Sequence, residues 1–166
     1  IEKIGGKKIL NQRFKKLGLK NTEIKSLLPD LKGTNTTSAL DLSKIIAMVD
    51  SGQTLSQRSR DLFREIMGTS ITNSLIPEGI LKGIGSSKGN VDYKLLVKGY
   101  RVYNKTGDIG IAYGDAALIQ MPDTSRAVAG FIVKGPFNDP RSTDLIREMA
   151  TAMVEVLQPA TSRSKP

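Results

Sequence analysis

The chain has 166 residues, of which 39% are hydrophobic and 25% charged, a composition typical of one globular unit or most of one. It contains no cysteine and no histidine, which excludes disulfides, thiolate nucleophiles, Cys/His zinc sites and Ser-His-Asp triads within these residues. The formal net charge is +9, but the basic residues are scattered and have no aromatic platform beside them. We therefore expect a solvated positive surface and no nucleic-acid partner.

The chain begins with a predicted helix and a long loop. Hydrophobic residues at helical spacing predict a helix over 7–17, which Gly18 ends. The stretch 19–35 is polar, yet it contains three leucines in five residues around Pro29: Leu27, Leu28 and Leu31. Because a flexible linker rarely carries such a cluster, we predict an ordered loop that is held by a buried apolar anchor.

Two more helices are predicted before the middle of the chain. One covers 38–50, with Thr36 and Thr37 as capping residues, and the other covers 57–67, with Ser56 as its cap. A short helical turn over 72–75 is expected to stop before a proline at position 77. Four glycines then predict a turn-rich connector: Gly79, Gly83, Gly85 and Gly89.

The last part of the chain is predicted to form strands and one helix. Three runs of β-type residues cover 100–107, 114–121 and 127–134, and the short turns between them indicate an antiparallel meander. Asp139 can then cap a helix that runs to Leu157, with Pro140 at its first position and an apolar stripe that covers one sheet face.

These elements predict an α+β fold: a helical region over 1–80, then strands and a covering helix over 81–158. The polar tail 159–166 is predicted to be disordered. A three-stranded sheet with one helix is thin, and its exposed edge favours a pairing partner. We therefore expect N-terminal elements of the same protein, or a second chain, to complete the fold.

The strongest chemical signal is a Lys-Thr-Gly triplet on the first predicted strand. Lys105 offers a positive field, the Thr106 hydroxyl can bind a substrate carboxylate, and Gly107 lets a substrate backbone lie against the strand. The backbone N–H of Asp108 can face a developing oxyanion. Tyr103, two positions before the lysine, is a further candidate for substrate binding.

The triplet and its surroundings resemble class A β-lactamases and other penicillin-recognising serine hydrolases. Ile4-Gly5-Gly6, Thr36-Thr37 and Ile76-Pro77-Glu78-Gly79 occur in the order of that family's landmarks, so the resemblance extends from Ile4 to Leu157. It implies a β-lactamase-like α+β fold whose catalytic serine lies before Ile1. It also implies a β-lactam or a peptidoglycan stem peptide as substrate, no cofactor or metal, and a periplasmic or secreted location.

The loop 19–35 resembles a shortened omega loop that has lost the family's deacylation residues. The pattern Trp-Glu-Pro-Glu-Leu-Asn falls on 27–32, so the glutamate position is Leu28 and the asparagine position is Lys32. Because a leucine cannot act as a general base, we expect an acyl-enzyme that is hydrolysed slowly or not at all. A relocated base, supplied by Glu23, by Asp30 or by the family's lysine upstream of Ile1, would instead make a true β-lactamase.

Two further questions stay open from the sequence. The fold can also belong to a non-catalytic member that binds peptidoglycan or a protein partner. The basic residue that the family uses for the substrate carboxylate is absent from 111–113. Arg141 can replace it in the cleft, or it can form a surface ion pair with Asp139 or Asp144.

Overall fold

The computed structural model describes residues 2–68, 75–85 and 99–157. In chain order the elements are a 3-10 turn (Glu2–Ile4), α1 (Gly6–Lys16), α2 (Ala39–Asp50), α3 (Gln57–Gly68), α4 (Ile76–Gly83), β1 (Arg101–Ile109), β2 (Ala112–Gln120), β3 (Arg126–Lys134) and α5 (Pro140–Leu157). Most of the predicted turn over 72–75, Gly89 of the predicted connector and the predicted tail 159–166 lie outside the described residues. None of the described helices is long and apolar enough to cross a bilayer.

The three strands form one antiparallel sheet in the order β1-β2-β3. Its register places Lys105 opposite Ala116 and Thr106 opposite Asp115. Successive strands are neighbours because each connection is only a few residues long. The predicted meander is therefore confirmed, with each strand within two residues of its expected bounds.

Helices cover both faces of the sheet. Helices α4 and α5 pack together and against one face, whereas α2 and α3 contact the other. The larger core lies under α4 and α5, and its most enclosed side chains are Ile76, Ile80, Ile119, Ile146 and Val154. A smaller cluster of Ile46, Ala116 and Leu118 lies under α2. The expectation that the C-terminal helix covers the sheet is confirmed.

Helix α4 corrects two expectations about residues 72–85. The chain is helical through Pro77, because a proline in the first turn removes only an N–H that has no helical partner. Gly79 and Gly83 are therefore helical and do not belong to a connector. A methyl group on Gly79 would lie 2.4 Å from the carbonyl oxygen of Arg147 and 2.6 Å from Cβ of Ala150. These glycines let the backbones of α4 and α5 approach closely.

The cap of α2 is also one residue later than expected. Ser38 Oγ accepts a hydrogen bond from the Asp41 N–H at 3.1 Å, so the helix begins at Ala39. Thr36 does not cap the helix. Its backbone instead forms a β-bridge with Glu23 that closes the preceding loop. Ser56 accepts from the Ser59 N–H at the start of α3, as predicted.

A buried carboxylate joins the sheet to α4. Asp115 is 1% exposed, and its oxygens accept hydrogen bonds from Nδ2 of Asn104 at 3.0 and 3.1 Å. One of them also accepts the Ile76 N–H at 2.9 Å, at the start of α4. Burial raises the pKa of the Asp115 carboxyl above its ordinary value, and the bonds from Asn104 and Ile76 offset part of this rise. One side chain thus fixes β1, β2 and α4 relative to one another.

The close contact between α4 and α5 can be tested with Gly79→Ala. We expect the variant to lose about 1–3 kcal/mol of unfolding free energy, because the neighbouring carbonyl and Cβ cannot move aside cheaply. The matched control is Gly110→Ala, whose new methyl would meet nothing within 4 Å. Urea unfolding of both variants measures the difference. Equal stability of the two variants would refute the packing account.

The buried state of Asp115 can be tested with Asp115→Asn. Because the pKa of Asp115 is raised, the wild-type carboxyl favours folding when protonated and loses that contribution as pH rises through the raised value. The variant does not ionise, and Asn104 Oδ1, buried without a partner among the described residues, can turn to accept its amide. The stability of the variant relative to wild type should therefore rise as pH increases from about 3, below the ordinary pKa of an aspartate, through the raised pKa of Asp115. A flat difference across this range would contradict the account.

Candidate active site

The candidate site lies along the outer edge of β1. One edge of β1 pairs with β2, and no strand of the described chain pairs with the opposite edge of β1. Alternate N–H and C=O groups of β1 therefore face outward beside Lys105, Thr106, Gly107 and Asp108. An extended substrate backbone can pair with such an edge through main-chain hydrogen bonds.

Two cavities adjoin this part of β1, and residues 105–108 line both. The first has a volume of about 450 Å³ and lies between α2, α3 and the sheet. Its other walls are mainly apolar and include Leu42, Ile45, Phe63, Met67 and Ile132. The second has a volume of about 540 Å³ and is bounded by Leu75, Tyr113 and Thr143. The four site residues predicted from the sequence, Lys105 to Asp108, therefore lie where an apolar cavity meets a more polar one.

Lys105 is the cation of this site. Its side chain is exposed, and Nζ donates a hydrogen bond to the carbonyl oxygen of Thr106. Its positive charge acts on the buried carboxyl of Asp115 and favours the ionised form of that group. The ammonium therefore lies on the strand edge, where it can attract an anionic substrate group.

The two tyrosines near the triplet differ in their surroundings. Tyr103 packs against the small core cluster of Ile46 and Leu118 and beside Gly68 of α3, and it lines neither cavity. Its predicted role in substrate binding stays a prediction. Tyr113 is buried, lines both cavities and accepts the Asn138 N–H on its hydroxyl. Tyr113 was not among the predicted site residues, although its place on the strand that pairs with the triplet is a usable signal.

The loop 19–35 is ordered by polar bonds, so the predicted apolar anchor is wrong. The carboxylate of Asp30 accepts the Asn35 N–H at 2.6 Å and the Thr34 hydroxyl at 2.9 Å. Asn35 Oδ1 in turn accepts the N–H groups of Lys25 and Ser26. The leucines instead face outward, with exposures of 57% for Leu27, 82% for Leu28 and 77% for Leu31.

The two positions matched to the family's deacylation residues lie on this outward surface. Leu28 precedes a cis peptide bond to Pro29, and Lys32 is exposed as well. The loop meets the β1–β2 hairpin at Gly33, where an added methyl would lie 2.6 Å from Cδ1 of Ile111. The loop and the end of the Lys-Thr-Gly strand are therefore in contact.

The alternative acidic residues of the loop already have partners. The hydrogen bond from the Asn35 N–H, with those from Thr34, lowers the pKa of the Asp30 carboxyl. A carboxylate with a lowered pKa is a weaker proton acceptor. Glu23 forms an ion pair with Lys25 at 3.6 Å.

Arg141 forms the surface ion pair with Asp139, the second of the two possibilities that the sequence left open. Its guanidinium pairs with Asp139 at 2.6 Å, and its side chain is 86% exposed. This ion pair raises the pKa of Arg141 and lowers that of Asp139. Arg141 lines neither of the two cavities beside the triplet.

Solved structures with this fold include two of PBP-A. One matches with a TM-score of 0.78 and 42% identity over 92% of this chain. The other, a leucine-to-glutamate variant described as an acyl-enzyme complex with penicillin G, matches with a TM-score of 0.80 and 41% identity over 95% of this chain. The chromosome-encoded β-lactamase of Vibrio parahaemolyticus has a TM-score of 0.71 at 18% identity over 95% of this chain, which shows a shared fold.

The match covers only part of those proteins. This chain spans 52% and 53% of the two PBP-A chains and 57% of the Vibrio enzyme, about half of their length. A comparison with curated proteins finds no match. The model of the family described as "Beta-lactamase enzyme family" matches residues 1–157. A family match over almost the whole chain, together with this fold and the Lys-Thr-Gly edge strand, shows that the chain belongs to the β-lactamase enzyme family.

Proposed function

We propose that this chain carries the Lys-Thr-Gly part of a serine hydrolase that is acylated by β-lactams or D-alanyl peptides and deacylates slowly. The observation that carries the proposal is the outer edge of β1, where Lys105, Thr106, Gly107 and Asp108 lie between the two cavities. This arrangement suits a substrate that has a carboxylate next to an amide. A β-lactam and a D-alanyl peptide share that chemistry.

Each residue of the strand has a distinct role in this proposal. Lys105 attracts the substrate carboxylate, and the Thr106 hydroxyl donates to it. A serine outside residues 1–166 attacks the carbonyl carbon, and the Asp108 N–H stabilises the resulting oxyanion. A serine–carbonyl bond then forms, the amide C–N bond breaks, and the serine proton passes to the leaving nitrogen. Hydrolysis of the acyl-enzyme needs a water molecule and a base to activate it.

The slow second step is inferred from Leu28. Its side chain has no group that can accept a proton, and the nearby Asp30 is engaged by Asn35 and Thr34. Support for the first step comes from a relative, because a PBP-A variant is described as an acyl-enzyme complex with penicillin G. The relocated-base alternative is weakened by the lowered pKa of Asp30.

The proposal also requires more protein than this chain. The apolar cavity of about 450 Å³ beside Lys105 is open to a further element with an apolar face. We propose that the N-terminal part of the same protein, or a partner chain, fills it and brings the serine to the strand edge. The periplasmic or secreted location rests on the family resemblance and belongs to the same proposal.

The direct test is covalent labelling of the complete protein with a fluorescent penicillin, followed by peptide mapping. We expect one labelled serine outside residues 1–166, and protection by a peptide that ends in D-Ala-D-Ala. A label that maps within residues 1–166 would contradict the proposed division of the site. Absence of any label would favour a non-catalytic member that binds its ligand without acylation.

The role of Leu28 is tested by Leu28→Glu. We expect the acyl-enzyme lifetime to shorten by on the order of 10-fold or more, because the new carboxylate can activate the deacylating water. Leu31→Glu is the matched control, since it adds the same charge to an exposed leucine of the same loop. Lifetimes are measured by recovery of free enzyme after removal of excess drug. An equal effect of both changes would argue for a general charge effect.

The role of Lys105 is tested by Lys105→Gln. Loss of the ammonium should slow acylation by about 100-fold, because this cation both attracts the carboxylate and stabilises developing charge. Lys134→Gln is the control, as it removes an exposed lysine at the end of β3. Rates of labelling are compared at matched stability, checked by thermal unfolding. Unchanged acylation in the Lys105 variant would remove this residue from the site.

A further inference from the structure

Helix α1 concentrates the positive charge of the chain. It is the only described helix without a carboxylate, and it carries five basic residues in 11 positions: Lys7, Lys8, Arg13, Lys15 and Lys16. With Lys3 and Lys20 at its flanks and Glu2 as the single acid, residues 2–20 hold seven basic side chains against one acidic, a net +6 of the total +9. The basic residues that were described as scattered along the sequence are therefore concentrated in this segment.

Three of the five basic residues of α1 form one outward face of the helix. At 100° per residue, Lys8, Lys15 and Lys16 fall within an arc of about 100°, opposite Leu10 and Phe14. The three lysines are exposed, whereas Leu10 and Phe14 are half-buried against the protein. The ion pairs found among the described residues involve none of the three lysines. Within the described part of the chain, the three lysines are therefore open to an external anion.

The shape of this face indicates an extended partner and not a single small anion. Lys8 and Lys16 lie about 12 Å apart along the helix axis, so their charges do not converge on one point. Ile9, 38% exposed, lies among the cations. No aromatic ring is exposed on α1, which disfavours stacking with unpaired bases. A cationic helix face with an exposed aliphatic side chain suits the headgroup layer of an anionic bilayer.

We propose that the outward face of α1 docks the protein reversibly on an anionic lipid surface. This surface function is separate from the proposed acylation at β1, and it needs neither the serine nor the Lys-Thr-Gly strand. Binding is electrostatic, so salt weakens it. Each basic residue near such a surface strengthens binding about fivefold.

The test is co-sedimentation of the complete protein with vesicles of phosphatidylglycerol and phosphatidylcholine in equal parts. We expect binding at low salt, release at about 0.5 M salt, and no binding to pure phosphatidylcholine. The α1 variant Lys8→Gln/Lys15→Gln/Lys16→Gln should bind about 100-fold more weakly. The control variant Arg58→Gln/Lys82→Gln/Lys134→Gln has the same net charge, removes exposed cations elsewhere and should bind as wild type does.

Three results would overturn the proposal. One is the absence of binding to the anionic vesicles at low salt. Another is equal weakening by the two triple variants, which would reduce the effect to net charge. The third is duplex DNA binding that the α1 variant loses while its vesicle binding is unchanged, which would assign the face to nucleic acid. Circular dichroism of each variant confirms that its fold is intact.

Discussion

The candidate site depends on one buried interaction, the carboxylate of Asp115 with Asn104 and the Ile76 N–H. Asn104 directly precedes Lys105, and Asp115 lies opposite Thr106 in the sheet. The same carboxylate therefore fixes the triplet against β2 and fixes the start of α4 under it. Burying a carboxyl group is costly unless it is well hydrogen-bonded, and this one accepts bonds from both neighbouring elements. The position of the strand edge follows from this arrangement.

The sequence predicted the strands well and the loop poorly, for physical reasons. Runs of β-type residues bounded by turn signals specify a strand locally, so β1, β2 and β3 were expected close to their bounds. Glycine marks both turns and close helix contacts, and only the packing of Gly79 on Ala150 shows which applies. Leu28 was expected to be buried because it belongs to a cluster of leucines, yet it is exposed. The composition of a loop does not reveal what covers its side chains. Asp115 was missed because its partners lie 11 and 39 residues away in the chain.

The residues of the candidate site were likewise predicted from the sequence only in part. The residues of the triplet were found from sequence, since they are contiguous and lie on one strand. Tyr113 and Thr143, which line the cavity beside them, come from other elements and depend on the tertiary fold. The chain spans about half the length of the PBP-A structures that it resembles. Its unpaired strand edge and adjoining apolar cavity are the features that the proposed serine-bearing part would complete.

The most direct measurement is the intact mass of the complete protein after a short exposure to penicillin and removal of free drug. The account predicts a single penicilloyl adduct that persists for hours, because the loop offers no base at Leu28. An adduct that disappears within minutes, with hydrolysed drug in solution, would contradict slow deacylation and indicate a base elsewhere. No adduct at any time would contradict the acylation that the Lys105 strand is proposed to support.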